Sequence, residues 1–241
     1  MAEYRNLIKA AWIDIDNTLI SFDAYVKQTM REGFAHFGLK PYEPYMFDVF
    51  TTENDKLWRS LERGELTFIE LKKIRFRNIF AALGISFDGE TFEKYFRDQI
   101  YDNAIPEPGA YEMLTALKEK GLILCAASNG PYEQQIHRLG VAKMDSFFDY
   151  CFISEEIGAS KPAPLFYEEG FQRMNEGRMP QILPDECVMI GDSLTSDMAG
   201  GMDFGMKTCF YRRKKDTVVP DGIDVVVEDL REIAQHFEGV R

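Results

Sequence analysis

One short apolar run, Ile8 to Ile13, stands near the start of the chain, and the other runs of its kind come only after residue 105. Those later runs are Leu122 to Ala127, Tyr150 to Ile153, Cys187 to Ile190, Thr208 to Tyr211 and Asp224 to Val227. They alternate with amphipathic segments, and their apolar residues are continuous rather than spaced in twos. Strands buried on both faces and separated by helices predict an α/β fold, a parallel sheet covered by helices on each side. The early run supplies the first strand of that sheet.

The stretch between is different in kind. Apolar residues recur there every three or four positions, at Phe22, Val26, Met30, Phe34 and Phe37, then Leu57 and Leu61, then Leu71, Ile74, Ile79 and Leu83, which is helical spacing. Gly38 and Gly84 read as helix stops, and Thr67 with Glu70 as a capping box. Pro106-Glu107-Pro108-Gly109 marks the return to the sheet. The expected organisation is an α/β core from residues 1–20 and 105–241, interrupted by an all-helical domain at 21–104. A chain of 241 residues, 45% of them hydrophobic, has material for both.

Several function classes are disfavoured by the same inspection. No stretch approaches the roughly 18 apolar residues of a membrane span, and Met1-Ala2-Glu3-Tyr4-Arg5 leads to Asp14 without a signal-peptide pattern. Cys125, Cys151, Cys187 and Cys209 are far apart and sit in apolar runs, which suits reduced thiols and a cytoplasmic protein. A net charge of -12 argues against a nucleic-acid polymer as partner. Any phosphate chemistry must therefore use locally placed cations.

The first strand ends in Asp14-Ile15-Asp16-Asn17-Thr18. Two carboxylates at the mouth of a hydrophobic core cost repulsion and desolvation unless they share a cation or a proton. Three further signals follow the later strands: Ser128-Asn129-Gly130, Lys161-Pro162, and Gly191-Asp192-Ser193 with Asp197. Taken singly each is plain, a turn, a surface lysine and a strand-to-helix connection. In a doubly wound sheet, however, these loops open at the same carboxyl edge. Paired acids, a Ser/Asn loop, a lysine and another acidic loop together form a phosphoryl-transfer set.

On these four segments, in this order, the chain resembles the haloacid dehalogenase superfamily of phosphohydrolases. That resemblance implies a Rossmann-like parallel-sheet core, a mobile cap, Mg2+ and an aspartyl-phosphate intermediate. The helical insertion lies between the first and second motifs, as does the helical cap of the first cap class. Asp14 would attack phosphorus, and Asp16 would serve as acid to the leaving oxygen and then as base toward water. Asp14, the main-chain carbonyl of Asp16 and Asp192 would hold the metal, with Asp197 as an orienter or water-mediated ligand. Ser128, Asn129 and Lys161 would hold the phosphoryl oxygens, and the Thr18 hydroxyl would support the first loop. Asn17, between Asp16 and Thr18, is a change from the family pattern that should be tolerated.

Asp16 also argues against dehalogenation, which has no alkoxide to protonate. A closer similarity is to bacterial nucleotidases acting on pyrimidine nucleoside monophosphates, including non-canonical ones. It rests on Leu19-Ile20-Ser21-Phe22-Asp23, Asn54-Asp55-Lys56-Leu57-Trp58, Ile153-Ser154-Glu155-Glu156-Ile157-Gly158 and Ser196-Asp197-Met198-Ala199-Gly200-Gly201. The partner expected is thus a small phosphorylated molecule, a nucleotide, with Phe22 and Trp58 stacking on its base. Residue by residue, aromatics at helical spacing are more often the substance of a core. A sugar-phosphate or phosphoglycolate phosphatase is the alternative within the enzymes, and a phospho-acceptor signalling module the alternative outside them. Arg212-Arg213-Lys214-Lys215 reads as a solvated loop.

Overall fold

The computed structural model describes residues 7–238; the N-terminal stretch Met1 to Asn6, read above for a signal peptide, lies outside them. The chain divides into two compact units, Met1–Ser21 with Ile105–Arg241, and Phe22–Ala104.

The first unit opens with β1 (Ala10–Ile13). The chain then runs through the second unit as α1 (Phe22–His36), α2 (Tyr45–Glu62), α3 (Phe68–Leu83) and α4 (Gly89–Ile100). It returns as α5 (Ala110–Glu119), β2 (Ile123–Ser128), α6 (Tyr132–Val141), β3 (Tyr150–Ile153), α7 (Ser154–Ile157), α8 (Pro164–Asn175) and β4 (Cys187–Gly191). A π-helical turn at Leu194–Met198 leads into α9 (Ala199–Asp203), followed by β5 (Lys207–Tyr211) and β6 (Val225–Val227).

Among the described residues the sheet has six strands in the order β3-β2-β1-β4-β5-β6, every pair parallel. Strand order reverses at β1, which pairs with β2 on one side and β4 on the other. At such a reversal, outside the carboxyl ends of the strands, doubly wound sheets bind ligands. Ile13 is level with Ala126 and with Ile190, so Asp14, Ser128 and Asp192 emerge at one edge.

Burial explains why these runs became strands. All four residues of β1 are buried, and Trp12 lies between Phe152, 4.5 Å away, and Tyr167, 6.0 Å away. β2 extends to Ser128, one residue past the expected end, so the ladder itself fixes the motif serine. β6 starts at Val225 rather than Asp224, because the Asp224 carboxylate instead accepts hydrogen bonds from the Thr208 N–H (2.9 Å) and hydroxyl (3.2 Å). The cysteines are unpaired, and three of them are buried.

The helical unit has its own core, built from Tyr25, Phe34, Phe50, Phe76, Phe80, Phe92 and Phe96 among others. Within it Arg75 makes a two-pronged ion pair with Glu93 (2.6 and 2.9 Å), and charges so buried persist only when paired. The Thr67–Glu70 capping box starts α3, and Gly84, left-handed at φ 63, stops it. The insertion begins and ends beside itself in the first unit: the Ser21 N–H donates to the Ile105 carbonyl at 2.7 Å, and Glu107 N–H to Leu19 at 2.9 Å. No helix among the described residues is long and apolar enough to cross a membrane.

Candidate active site

Asp14 follows β1 directly, its N–H donating to the Ile190 carbonyl of β4 at 2.9 Å. The chain then turns tightly, with three N–H groups, of Thr18, Leu19 and Ile20, converging on the Ile15 carbonyl (2.9–3.4 Å). Asn17 sits in this turn at φ 64. Asparagine tolerates the left-handed region better than other side chains, which is why the change from the family pattern is accommodated. Thr18 requires a correction: it is fully buried, and its hydroxyl has no protein hydrogen-bond partner among the described residues. The loop is held by its main chain.

Lys161 is the centre of the site. Only 1% exposed, it donates to Asp14 Oδ1 (2.7 Å), Asp197 Oδ1 (2.7 Å) and the Ala127 carbonyl (2.6 Å). All three ammonium protons are thus used. Burial opposes its charge, but Asp14 and Asp197 outweigh that and hold its pKa above the ordinary lysine range. Burial likewise pushes the Asp14 carboxyl up to about 7, against the pull of the same ammonium. Asn129 fixes the lysine's backbone through two bonds of 2.8 Å, one accepted from and one donated to Lys161.

Asp192 and Asp197 come from the loop after β4. With Asp14 they place one carboxylate oxygen each within 4.8 Å of one another. Asp197 is 1% exposed; its second oxygen accepts the Ser193 N–H at 3.1 Å. Gly191 makes room for it, since a Cβ there would overlap the Asp197 carboxylate. Gly191→Ala should therefore displace Asp197 and lower phosphate release about 100-fold. Steady-state kinetics beside a thermal melt check this, and unchanged turnover in the folded variant counts against it.

The Asp16 carboxylate is turned elsewhere. Its Oδ1 accepts from Arg138 (2.6 Å) and its Oδ2 from Gln135 (2.7 Å), both on α6. Ser128, 2% exposed, accepts from Gln135 (2.6 Å) and from the Gly130 N–H (3.1 Å). Gln135 and Arg138 were missed in the sequence, where their i,i+3 spacing is the only signal. Arg213 was misread as solvated. Its side chain is 19% exposed and lies 3.3 Å from Glu107 and 3.6 Å from Asp192, because β5 returns it to the carboxyl edge. Phe22 and Trp58 belong to the helical unit: Phe22 packs on Tyr25, Phe50 and Phe96, and Trp58 on Phe68.

Comparison with known proteins agrees with this arrangement. Residues 8–205 match the model of the haloacid dehalogenase-like hydrolases. The pyrimidine 5'-nucleotidase PynA of Streptococcus pneumoniae is 31% identical over 82% of this chain and 81% of its own. The glyceraldehyde 3-phosphate phosphatase of Pyrococcus furiosus is 24% identical over 96% and 93%. The magnesium-bound crystal structure of the HAD-hydrolase YfnB from Bacillus subtilis superposes with a TM-score of 0.83 at 27% identity, covering 95% of this chain and 98% of that one. With its parallel sheet and four motif segments at one edge, the chain belongs to the haloacid dehalogenase-like hydrolases, as a phosphatase of that family.

Proposed function

We propose that this phosphatase is a Mg2+-dependent, cytoplasmic 5'-nucleotidase for pyrimidine nucleoside monophosphates, non-canonical ones included, working through an aspartyl-phosphate on Asp14. The contact of Lys161 with both Asp14 and Asp197 at the switch point supports the mechanism. The likeness to PynA supports the choice of substrate.

Three clustered carboxylates with one ammonium among them are a donor set of hard oxygens in net negative surroundings, which fits magnesium. Asp14 and Asp192 would hold the ion together with Asp197 or the main-chain carbonyl of Asp16. When bound, magnesium neutralises charge on the transferring phosphoryl group. Asp14 forms a bond to phosphorus as the ester P–O bond breaks, and Asp16 gives its proton to the departing alcohol oxygen. Asp16 then takes a proton from water as the water oxygen bonds to phosphorus. The bond to Asp14 breaks, restoring its carboxylate and releasing inorganic phosphate. Lys161 holds Asp14 in place and offsets charge, and Ser128 and Asn129 flank the phosphoryl group. Residues 21–104 act as the cap, with Phe22 and Trp58, both half-buried, offering faces to the base.

A panel of phosphate monoesters tests the substrate. The highest kcat/KM is expected on UMP, dUMP and dTMP, with activity lost in EDTA and restored by Mg2+. The relative from Pyrococcus furiosus favours a second reading, a sugar-phosphate phosphatase. A tenfold preference for glyceraldehyde 3-phosphate over the nucleotides would establish it in place of the first. Labelling that stops at one phosphoryl group per chain would instead indicate a phospho-acceptor module.

A further inference from the structure

Two fully buried polar side chains of α6, Gln135 and Arg138, have no part in the chemistry described above. A buried guanidinium is costly unless it is paired and hydrogen-bonded. These two residues form a closed ring with Asp16. Arg138 Nη1 donates to Asp16 Oδ1 at 2.6 Å and to Gln135 Oε1 at 2.9 Å, and Gln135 Nε2 donates to Asp16 Oδ2 at 2.7 Å. Only one orientation of the glutamine amide fits, since the reverse would set its NH2 against the guanidinium and its oxygen against the carboxylate. From the same nitrogen a second bond, 2.6 Å long, reaches Ser128 Oγ.

The ring depends on Gly130. A Cβ at that position would stand 2.8 Å from three side-chain atoms of Gln135, closer than real Cβ atoms come. The third residue of the Ser128-Asn129-Gly130 motif is thus small so that Gln135 can pass beneath the loop.

We propose that Gln135 and Arg138 are positioning residues that fix the direction in which Asp16 presents its proton and tie that direction to the serine of the phosphoryl-binding loop. The inference rests on the acid/base reading of Asp16 given above. A carboxylate has about four lone-pair positions, and the ring fills one on each oxygen, on the side of α6. A proton carried by Asp16 must therefore take one of the positions that the ring leaves open. Ser128 Oγ accepts from Gln135 and from Gly130, which leaves its own hydrogen to be donated outward, toward a phosphoryl oxygen. One amide group thus sets both the proton donor for the leaving group and the hydroxyl donor for the phosphate.

The test uses two esters of similar shape, phenyl phosphate, whose leaving oxygen needs a proton, and p-nitrophenyl phosphate, whose leaving oxygen needs far less help. The kcat/KM values report the steps up to loss of the alcohol, independently of later hydrolysis. In Asp16→Asn the ratio of p-nitrophenyl to phenyl phosphate should rise at least tenfold, and Gln135→Leu and Arg138→Lys should follow it in direction and by at least fivefold. Equal losses on both esters, or none, in Gln135→Leu and Arg138→Lys while Asp16→Asn shifts the ratio would overturn the positioning role alone. An unshifted ratio in Asp16→Asn would overturn the acid assignment and the positioning role with it. Should Arg138→Lys fail to fold, the nearly isosteric Gln135→Leu decides.

Discussion

Asp14→Asn removes turnover of p-nitrophenyl phosphate, by at least a factor on the order of 10⁴, yet raises the melting temperature of the metal-free protein at pH 8. The first effect follows from chemistry, since a neutral amide cannot form the acyl-phosphate bond. The second follows from where the carboxyl sits. Its pKa, 3.8 in an unfolded chain, is pushed up to about 7 by burial in the fold. A raised carboxyl contributes to stability below pH 4 and loses that contribution as pH rises through 7. Above pH 7 the ionised group is a cost to the fold. Asparagine carries no charge to desolvate and keeps an oxygen for Lys161. Melts in EDTA should therefore show the variant ahead at pH 8 and the difference closing toward pH 4. A variant that melts lower than the native protein at pH 8, or retains a tenth of its turnover, contradicts the prediction.

Lys161→Met has the opposite sign on stability. Two buried carboxylates, Asp14 and Asp197, face the one ammonium. Removing it leaves them unpaired, at a cost of about 3–5 kcal/mol. Because the lysine pKa is raised in the fold, its contribution is complete below the unfolded value of 10.5 and is lost only at strongly alkaline pH. The lysine thus stays charged through the neutral range. The deficit of the variant should narrow on acidification, as the Asp14 carboxyl, raised by burial, takes up its proton. Adding Asp197→Asn to Lys161→Met should recover part of the lost stability, while phosphate release stays down about 1,000-fold. Urea unfolding in EDTA measures the first, and a single-variant loss under 1 kcal/mol would contradict it.

Much of this molecule is legible without coordinates. Continuous apolar runs as short as Cys187 to Ile190 suit buried strands, and their alternation with helical patterns points to a parallel sheet. Strand ends are less legible, as Ser128 and Asp224 illustrate, because ladder bonds and a side-chain cap decide them. In the site, Lys161 read alone is a surface lysine. Its order among the other motifs is what marks it, and the structure buries it against two acids. Gln135 and Arg138 lie 119 and 122 residues from the carboxylate they hold, so no local pattern announces them. Arg213 hides for a related reason, its neighbours in the basic run being exposed or half-exposed while its own side chain turns toward Glu107.

The bond from Ser21 to Ile105 means that an 83-residue excursion departs from and returns to adjacent backbone. Ends that already touch can be joined by a short turn, so the sheet and its acids do not depend on what is spliced between them. If the excursion selects the substrate, as we propose, a lineage can exchange or redraw it by insertion and deletion while the catalytic edge is inherited unchanged. New specificities then arise by replacing a detachable part, with no renegotiation of the phosphoryl-transfer machinery.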